Sequence, residues 1–293
     1  MASKEKKEKN LGRYSTFSVV LRRIRKNKGG VIGLFIVLFY IIVSIFGPML
    51  SPYDPNESNF DESLIPPSKQ HWFGTDLHGR DVLSRVIVGA RTSFTISISA
   101  VAIAVFIGIL LGSISGYVGG WIDELIMRFL DIFMAFPEIL LAIAIVAILG
   151  PGKINIVIAI AVFSFPSFAR ITRATVMSVK NNEYVEAAKA IGESSWSILT
   201  RYILPNALSP VIVQATLRMG TAILTISSLG FLGLGVKAPE AEWGTDLALA
   251  RSYLEFAPWL SIFPGIAIVF VVLGFNFFGD ALNDALNPRL KDR

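Results

Sequence analysis

Six long stretches without a charged side chain constrain this chain more than any other feature: residues 31–50, 92–122, 139–152, 154–169, 219–236 and 256–279. A hydrocarbon core of about 30 Å is crossed by about 20 helical residues, because only a helix or a closed barrel satisfies its backbone N–H and C=O groups away from water. Hydrophobic residues make up 53% of the 293 residues and charged residues 17%, a balance unlike that of soluble domains. The expected fold is therefore an all-α membrane protein with six transmembrane helices. Two runs are short. Lys153 and Arg170 can snorkel to extend 154–169, whereas 139–152 must recruit residues before Glu138, so the third helix is expected to begin near Phe129. The start of the fifth is ambiguous, because Arg218 divides 209–217 from the apolar run after it.

Charge orients these spans. The net charge is +5, but ten of the 27 Lys and Arg fall within the first 28 residues. Lys4 to Lys9 reads as a solvated tail. Arg22, Arg23, Arg25, Lys26 and Lys28 abut the first span and hold the N-terminus in the cytoplasm, which makes a nucleic-acid partner unnecessary. A cleavable signal peptide is not expected, since the first apolar run is 20 residues long and no small-residue cleavage site follows it. Six spans then put 119–128, 170–208 and the tail from Asp280 inside, and 51–91, 150–153 and 237–255 outside. With Arg218 set aside, 19 basic residues fall inside and seven outside. There are no cysteines, which excludes disulfides and thiolate metal sites.

The external segment is rich in turn formers, and beyond them Leu83, Val86, Ile87 and Ala90 share one face, suggesting a helix along the membrane surface. Gly74-Thr-Asp-Leu and Gly244-Thr-Asp-Leu match, and each Thr or Asp is read as the cap of a following helix. His71, His78, Asp76 and Asp81 lack the spaced ligand set of a metal site, so no metal is assigned.

The most informative polar stretch is Glu183, Tyr184, Val185, Glu186, Ala187, Ala188, Lys189, Ala190, Ile191, Gly192. Asn181 or Asn182 can cap a short helix in which Tyr184, Ala188 and Ile191 form an apolar stripe, and Gly192 can end it. Ser194 or Ser195 can cap a second helix bearing Trp196, Leu199 and Ile203, stopped by Leu204-Pro205. With Ala187 and Ala188 leaving the backbone approachable and Tyr184 as anchor, this helix-turn-helix reads as a docking device.

Chemistry is sparse elsewhere. The phosphate-binding pattern Gly, four residues, Gly-Lys-Ser/Thr is absent, so ATP and Mg would be bound by another polypeptide, and this chain is expected to carry no cofactor and no catalytic residues of its own. Arg128 and Asp131 are read as an interfacial ion pair. Pro137 either starts a helix or kinks a longer one, and Glu138 beyond it is expected to face the bundle interior or a water-filled path. Gln214, Arg218, Thr221, Thr225, Ser227 and Ser228 serve either interhelical hydrogen bonding or pathway lining. Asn276, Asp280, Asn283 and Asp284 suggest a cytoplasmic cap or gate contact. The candidate translocation residues are Glu138, Gln214, Arg218, Thr221 and Asn276.

The loop, with Leu204 and Pro205 at matching spacing, closely resembles the EAA loop of ABC importer permeases, departing at Tyr202. Phe73-Gly-Thr-Asp76 with Gly79 to Arg85, Ser228 to Gly235 with Glu242-Trp-Gly244, and Arg201 to Asn206 resemble the dipeptide, oligopeptide and nickel subfamily, from about Val19 to Arg289. The resemblance implies a type I ABC importer permease fold in a prokaryotic inner membrane, with a cytoplasmic basic segment (1–30), a first helix and external segment (31–91), a transmembrane core (92–284) with its coupling loop at 170–208, and a cytoplasmic tail (285–293). It further implies a second homologous permease, two ATPase subunits, an external substrate-binding protein and surrounding membrane lipid as partners, and peptides as substrate. Glu183 to Gly192 would seat in an ATPase groove, so that closure of the ATPases opens the permeases outward. Replacing Gly192 with a bulky residue, or Glu186 with Lys, is expected to uncouple transport without preventing insertion. Nickel complexes or oligosaccharides are alternative substrates, and an ATP-independent channel or ion-coupled carrier is the alternative of another class. A membrane enzyme is a third, disfavoured for want of a convergent acid-base or nucleophile set.

Overall fold

The computed structural model describes residues 22–286; the basic segment before Arg22, Arg289, Lys291, Arg293 and the rest of the C-terminal tail lie outside the described residues. Nine principal helices follow in order: α1 Lys28–Leu50, α2 Val82–Val118, α3 Gly120–Met134, α4 Glu138–Leu149, α5 Lys153–Lys180, α6 Glu183–Ala190, α7 Leu204–Leu229, α8 Trp243–Ala250 and α9 Trp259–Leu286. Among the described residues the only β structure is an isolated antiparallel bridge between Thr75 and Asp81. Among the described residues five helical segments are long and apolar enough to cross a membrane, or six with the bent pair α3–α4 counted as one span.

The third span departs from expectation. No continuous helix begins near Phe129; that residue lies within α3, and the chain turns by 83° between α3 and α4. Pro137, with φ −56° and ψ 130°, occupies the N-cap position of α4 and leaves Glu138 in its first turn, so the proline starts a helix and does not kink one. The surface-helix reading of 82–91 also fails. Those residues are the first turns of α2, which Asp81 caps by accepting from the Ser84 backbone N–H at 2.7 Å. At 37 residues α2 is about 55 Å long, so it spans the core and continues beyond it.

Two seams hold the bundle together. Along the first, Gly108, Gly112 and Gly116 of α2 let α5 approach: a Cβ on Gly112 would stand 2.4 Å from the Ala169 carbonyl oxygen, and one on Gly108 2.4 Å from Phe168 Cβ. Without hydrophobic driving force between helices in lipid, such close backbone packing supplies the attraction. Along the second, a Cβ on Gly33 of α1 would stand 2.5 Å from the Phe278 nitrogen of α9, and one on Gly274 2.6 Å from Ile36. α7 lies between these pairs and buries Ile223 and Ile226. Phe35 and Ile148, 71% and 85% exposed, face outward, as lipid-facing positions do.

The segment between α1 and α2 is pinned by a buried ionic network. His71 Nδ1 lies 2.9 Å from Asp81, and Arg80 Nε donates to Asp76 at 2.7 Å. Arg85 donates to Asp246 at 3.0 and 2.5 Å and stands 3.9 Å from Asp76. The two Gly-Thr-Asp-Leu segments are thus not helix caps. Their aspartates converge on one guanidinium, while Asp81 and Glu242 do the capping. The carboxylates once considered beside His71 and His78 are engaged by protein cations, a backbone cap and the His71 ring.

Glu242 is fully buried, and its carboxylate accepts from Gly244 N at 2.9 Å, Thr245 N at 2.8 Å and Thr245 Oγ1 at 3.0 Å. Burial pushes its pKa up to about 7, with those three hydrogen bonds acting the other way.

Candidate functional site

α6 stops as expected, but neither its N-cap nor its sides match the expectation. Gly192 adopts φ +86°, its N–H donates to the Lys189 carbonyl at 3.0 Å, and the Glu193 N–H reaches back to Ala188 at 3.1 Å. This pair of bonds is the Schellman ending that glycine favours. Asn182 holds the N-cap position, yet its side chain does not cap; its Nδ2 donates to the Tyr184 hydroxyl at 3.3 Å. Glu183 and Glu186 lie in the first turn and Lys189 in the last, complementing the helix dipole.

The apolar stripe is corrected. Val185 and Ala188 are the buried residues, packed with Val176, Val179, Ile198, Leu199, Ile203 and Ala207. Tyr184 and Ile191, 43% and 78% exposed, point away with Glu183, Glu186 and Ala187. A one-residue shift of the face is enough: Val185 and Ala188 are i, i+3 neighbours over the end of α5. Tyr184 is steadied from the side, where Asn206 Nδ2 donates to its hydroxyl at 3.3 Å.

The return segment behaves differently from a stopped helix. Ser194 does cap it, accepting from Ser197 N at 3.2 Å. The turn Ser195–Ser197 then passes through a π-helical stretch, Ile198–Ile203, straight into α7. Pro205 sits in the first turn of α7; an i to i+5 pattern ahead of it accommodates both its missing N–H and its ring. Leu204 is half-buried and Pro205 exposed. Trp196, grouped with Leu199 and Ile203 on one face, is 74% exposed, whereas Leu199 and Ile203 are buried.

Between α4 and α7, two of the candidate pathway residues meet. Arg218 of α7 donates from both terminal nitrogens to Glu138 of α4, at 2.7 and 2.8 Å, a bidentate pair. Its guanidinium is 13% exposed and the carboxylate 53%. Gln214, Arg218, Thr221, Thr225 and Ser228 recur at i, i+4, i+7, i+11 and i+14 and so share one face of α7. Their hydroxyls do not bridge to other helices: Thr221 donates to the Arg218 carbonyl at 3.0 Å, Thr225 to Thr221 at 3.0 Å and Ser228 to Leu224 at 2.8 Å. Each oxygen keeps its lone pairs for an outside donor. Asn276 is not part of this group. It faces Gly220 across the seam between α7 and α9, where a glycine Cβ would stand 3.8 Å from its Oδ1.

Two further ion pairs differ from expectation. Arg128 bonds to Glu124 at 3.0 and 2.6 Å and not to Asp131, which pairs with Arg170 of α5. Asp123 of α3 takes both Arg173 nitrogens at 2.5 Å, tying the broken span to α5. A cleft of about 400 Å³ between α5, α7 and α9 is lined by Thr175, Asn206, Ser209, Pro210, Val213, Asn283 and Leu286. It is uncharged and mixed, with Pro210, Val213 and Leu286 beside Thr175, Asn206 and Ser209, and Asn283 belongs to it. Sequence reasoning passed over the α2 glycines, although Gly108, Gly112 and Gly116 at four-residue spacing in an apolar run are a legible packing signal.

Known proteins share this architecture. The family described as binding-protein-dependent transport system inner membrane component matches residues 108–292, and the N-terminal transmembrane domain of oligopeptide transport permease C matches residues 15–67. The dipeptide transport system permease protein DppC of Alkalihalophilus pseudofirmus is 49% identical over 277 residues, covering 94% of this chain and 91% of that protein. The di/tripeptide transport system permease protein DppC of Pseudomonas aeruginosa is 48% identical, covering 91% and 90%. Among solved structures, an inward-facing conformation of the MetNI methionine ABC transporter aligns with a TM-score of 0.58 at 19% identity, covering 70% of this chain and 97% of that one. That likeness concerns the fold.

Proposed function

We propose that this chain, which belongs to the family of binding-protein-dependent transport system inner membrane components, passes di- or oligopeptides across the membrane in a transporter driven by ATP. It is a multi-pass membrane permease subunit, and its family works with a partner permease, ATPase subunits and a binding protein. Of the finer assignments, the partner set extends the family resemblance and the orientation is supported by charge. Two ATPase subunits hydrolyse ATP, a second homologous permease completes the path, and 170–208 faces the cytoplasm by the excess of basic residues on that side.

One observation carries the coupling role: α6 is anchored on one edge by Val185 and Ala188 and locked at its end by Gly192, while Glu183, Tyr184, Glu186, Ala187 and Ile191 are left exposed. A helix so held transmits displacement of a partner into α5 and α7 and does not absorb it. Leu204 and Pro205 set the join through which α7 receives that displacement. Peptides are favoured as substrate by the two relatives named above, and the acceptor-rich face of α7 with the Glu138–Arg218 pair suits a solute bearing N–H donors and both charges. A neutral oligosaccharide lacks those charges.

Ala187 is exposed, so Ala187→Trp leaves packing within this chain untouched and obstructs only an approaching partner. Copurification of a nucleotide-hydrolysing subunit with the wild-type chain, and its loss with Ala187→Trp in a normally inserted protein, is the expected result. Equal recovery of that subunit with both chains would remove α6 as the coupling element.

A further inference from the structure

We propose that Glu138 and Arg218 form an exchangeable ion-pair gate, in which the carboxylate takes the ammonium of a zwitterionic peptide and the guanidinium takes its carboxylate. The proposal deepens the function above and rests on its reading that the polar face of α7 lines the path.

Depth is the first argument. α4 has 12 residues, so Glu138 at its inner end lies about 18 Å below its outer end, within a hydrocarbon core of about 30 Å. Arg218 stands 11 residues before the end of α7, about 16 Å by the same rise, so both groups sit near mid-membrane. Charges at that depth are costly unless they are paired or wetted, and residues found there mark solute pathways.

The pair is also unevenly enclosed. Arg218 is 13% exposed but Glu138 53%, so the carboxylate is reachable without first unpacking α7. Glu138 occupies the first turn of α4 immediately after the Pro137 break, where the helix dipole favours its charge when Arg218 lets go. Planar guanidinium geometry matches any carboxylate bidentately, so Arg218 can exchange Glu138 for a peptide C-terminus with little change in its own position. The next groups along the face, Thr221, Thr225 and Ser228, donate their protons to their own helix and present oxygen lone pairs, which suit an ammonium or amide N–H. A closed pair is internally neutral and offers a free ion of either sign no net countercharge to offset its desolvation. A zwitterion can replace both partners at once, whereas an ion of one sign strands a buried charge.

The chain has no native cysteine, which makes a clean test available. The complete complex with its binding protein is reconstituted in vesicles, and peptide taken up per ATP hydrolysed is measured for wild type, Glu138→Gln, Arg218→Gln and Glu138→Gln/Arg218→Gln. The gate predicts a loss of about tenfold or more in each single variant, the effect of one charge-assisted contact, and no recovery in the double variant. Recovery in the double variant to the wild-type ratio would make the pair a structural brace and overturn the proposal. Thr221→Cys separates the two levels: labelling by a membrane-impermeant thiol reagent is expected, and absence of labelling in every nucleotide state would overturn the path reading itself.

Discussion

Gly192 offers a test in which size and conformation make opposite predictions. A Cβ built at this position meets nothing within 4 Å, so a larger side chain has room. The backbone, however, holds φ at +86°, a region L-residues reach at a cost of about 1–2 kcal/mol, with asparagine penalised less and β-branched residues more. Two outcomes bound the effect on docking. If α6 keeps its Schellman bonds, the strain is the same free and docked and affinity is unchanged; if the last turn frays to relieve it, docking must restore the turn. The upper bound is therefore the whole strain, or about 5–30-fold in ATPase affinity. Binding of the purified ATPase subunit to the reconstituted permease, for Gly192→Asn, Ala, Leu and Val, checks this. The expected order of loss is Asn, then Ala and Leu together, then Val. This replaces the expectation that bulk is what disrupts the loop. A loss that grows with side-chain volume, with Leu far worse than Ala, would refute the conformational account.

Other consequences follow from packing and charge. Gly112→Leu drives a side chain into the Ala169 carbonyl, and should cost about 1–3 kcal/mol or more of stability, read as a lower melting temperature in detergent, whereas Gly265→Leu, with open space, should be near neutral. Arg85→Met strands Asp246, while Asp76 keeps Arg80, and is expected to destabilise by about 3–5 kcal/mol, with partial rescue in Arg85→Met/Asp246→Leu; absence of any rescue would separate the two residues. Because burial raises the Glu242 pKa from 4.5 to about 7, the folded state binds more protons than the unfolded between those values, and stability should fall as pH rises through that window. Melting followed from pH 5 to 7.5 should show this fall, shallower in Glu242→Gln. An identical slope in both would exclude Glu242 as its source.

Much of this was readable from residue order, and what was not has definite physical causes. Spans show in sequence because lipid demands uninterrupted apolar helices, and Gly192 shows because an αL ending all but requires glycine. Which face of α6 is buried does not show: Tyr184 and Ile191 are as apolar as Val185 and Ala188, and only the position of α5 decides between them. Pro205 signals a stop, yet the π-helical turn before it removes the clash, and helix widening has no residue code of its own. Pro137 announced a boundary but not the 83° turn, which depends on where α3 and α4 each pack against α5. Glu138 and Arg218 were singled out separately for being charged at depth. Their pairing across 80 residues depends on the third dimension. The two Gly-Thr-Asp-Leu segments were visible as a match, and their common purpose, holding Arg85, was visible only once they met.

The central claim is that this permease moves peptides only when a partner's ATP hydrolysis displaces α6. The direct measurement is the initial rate of labelled dipeptide uptake into vesicles holding the complete complex, with saturated binding protein outside and ATP or a non-hydrolysable analogue inside. The account predicts uptake against a gradient with ATP, none with the analogue, and none with ATP when Ala187→Trp obstructs α6. Uptake that persists with the analogue, or that survives the obstruction of α6, would contradict it.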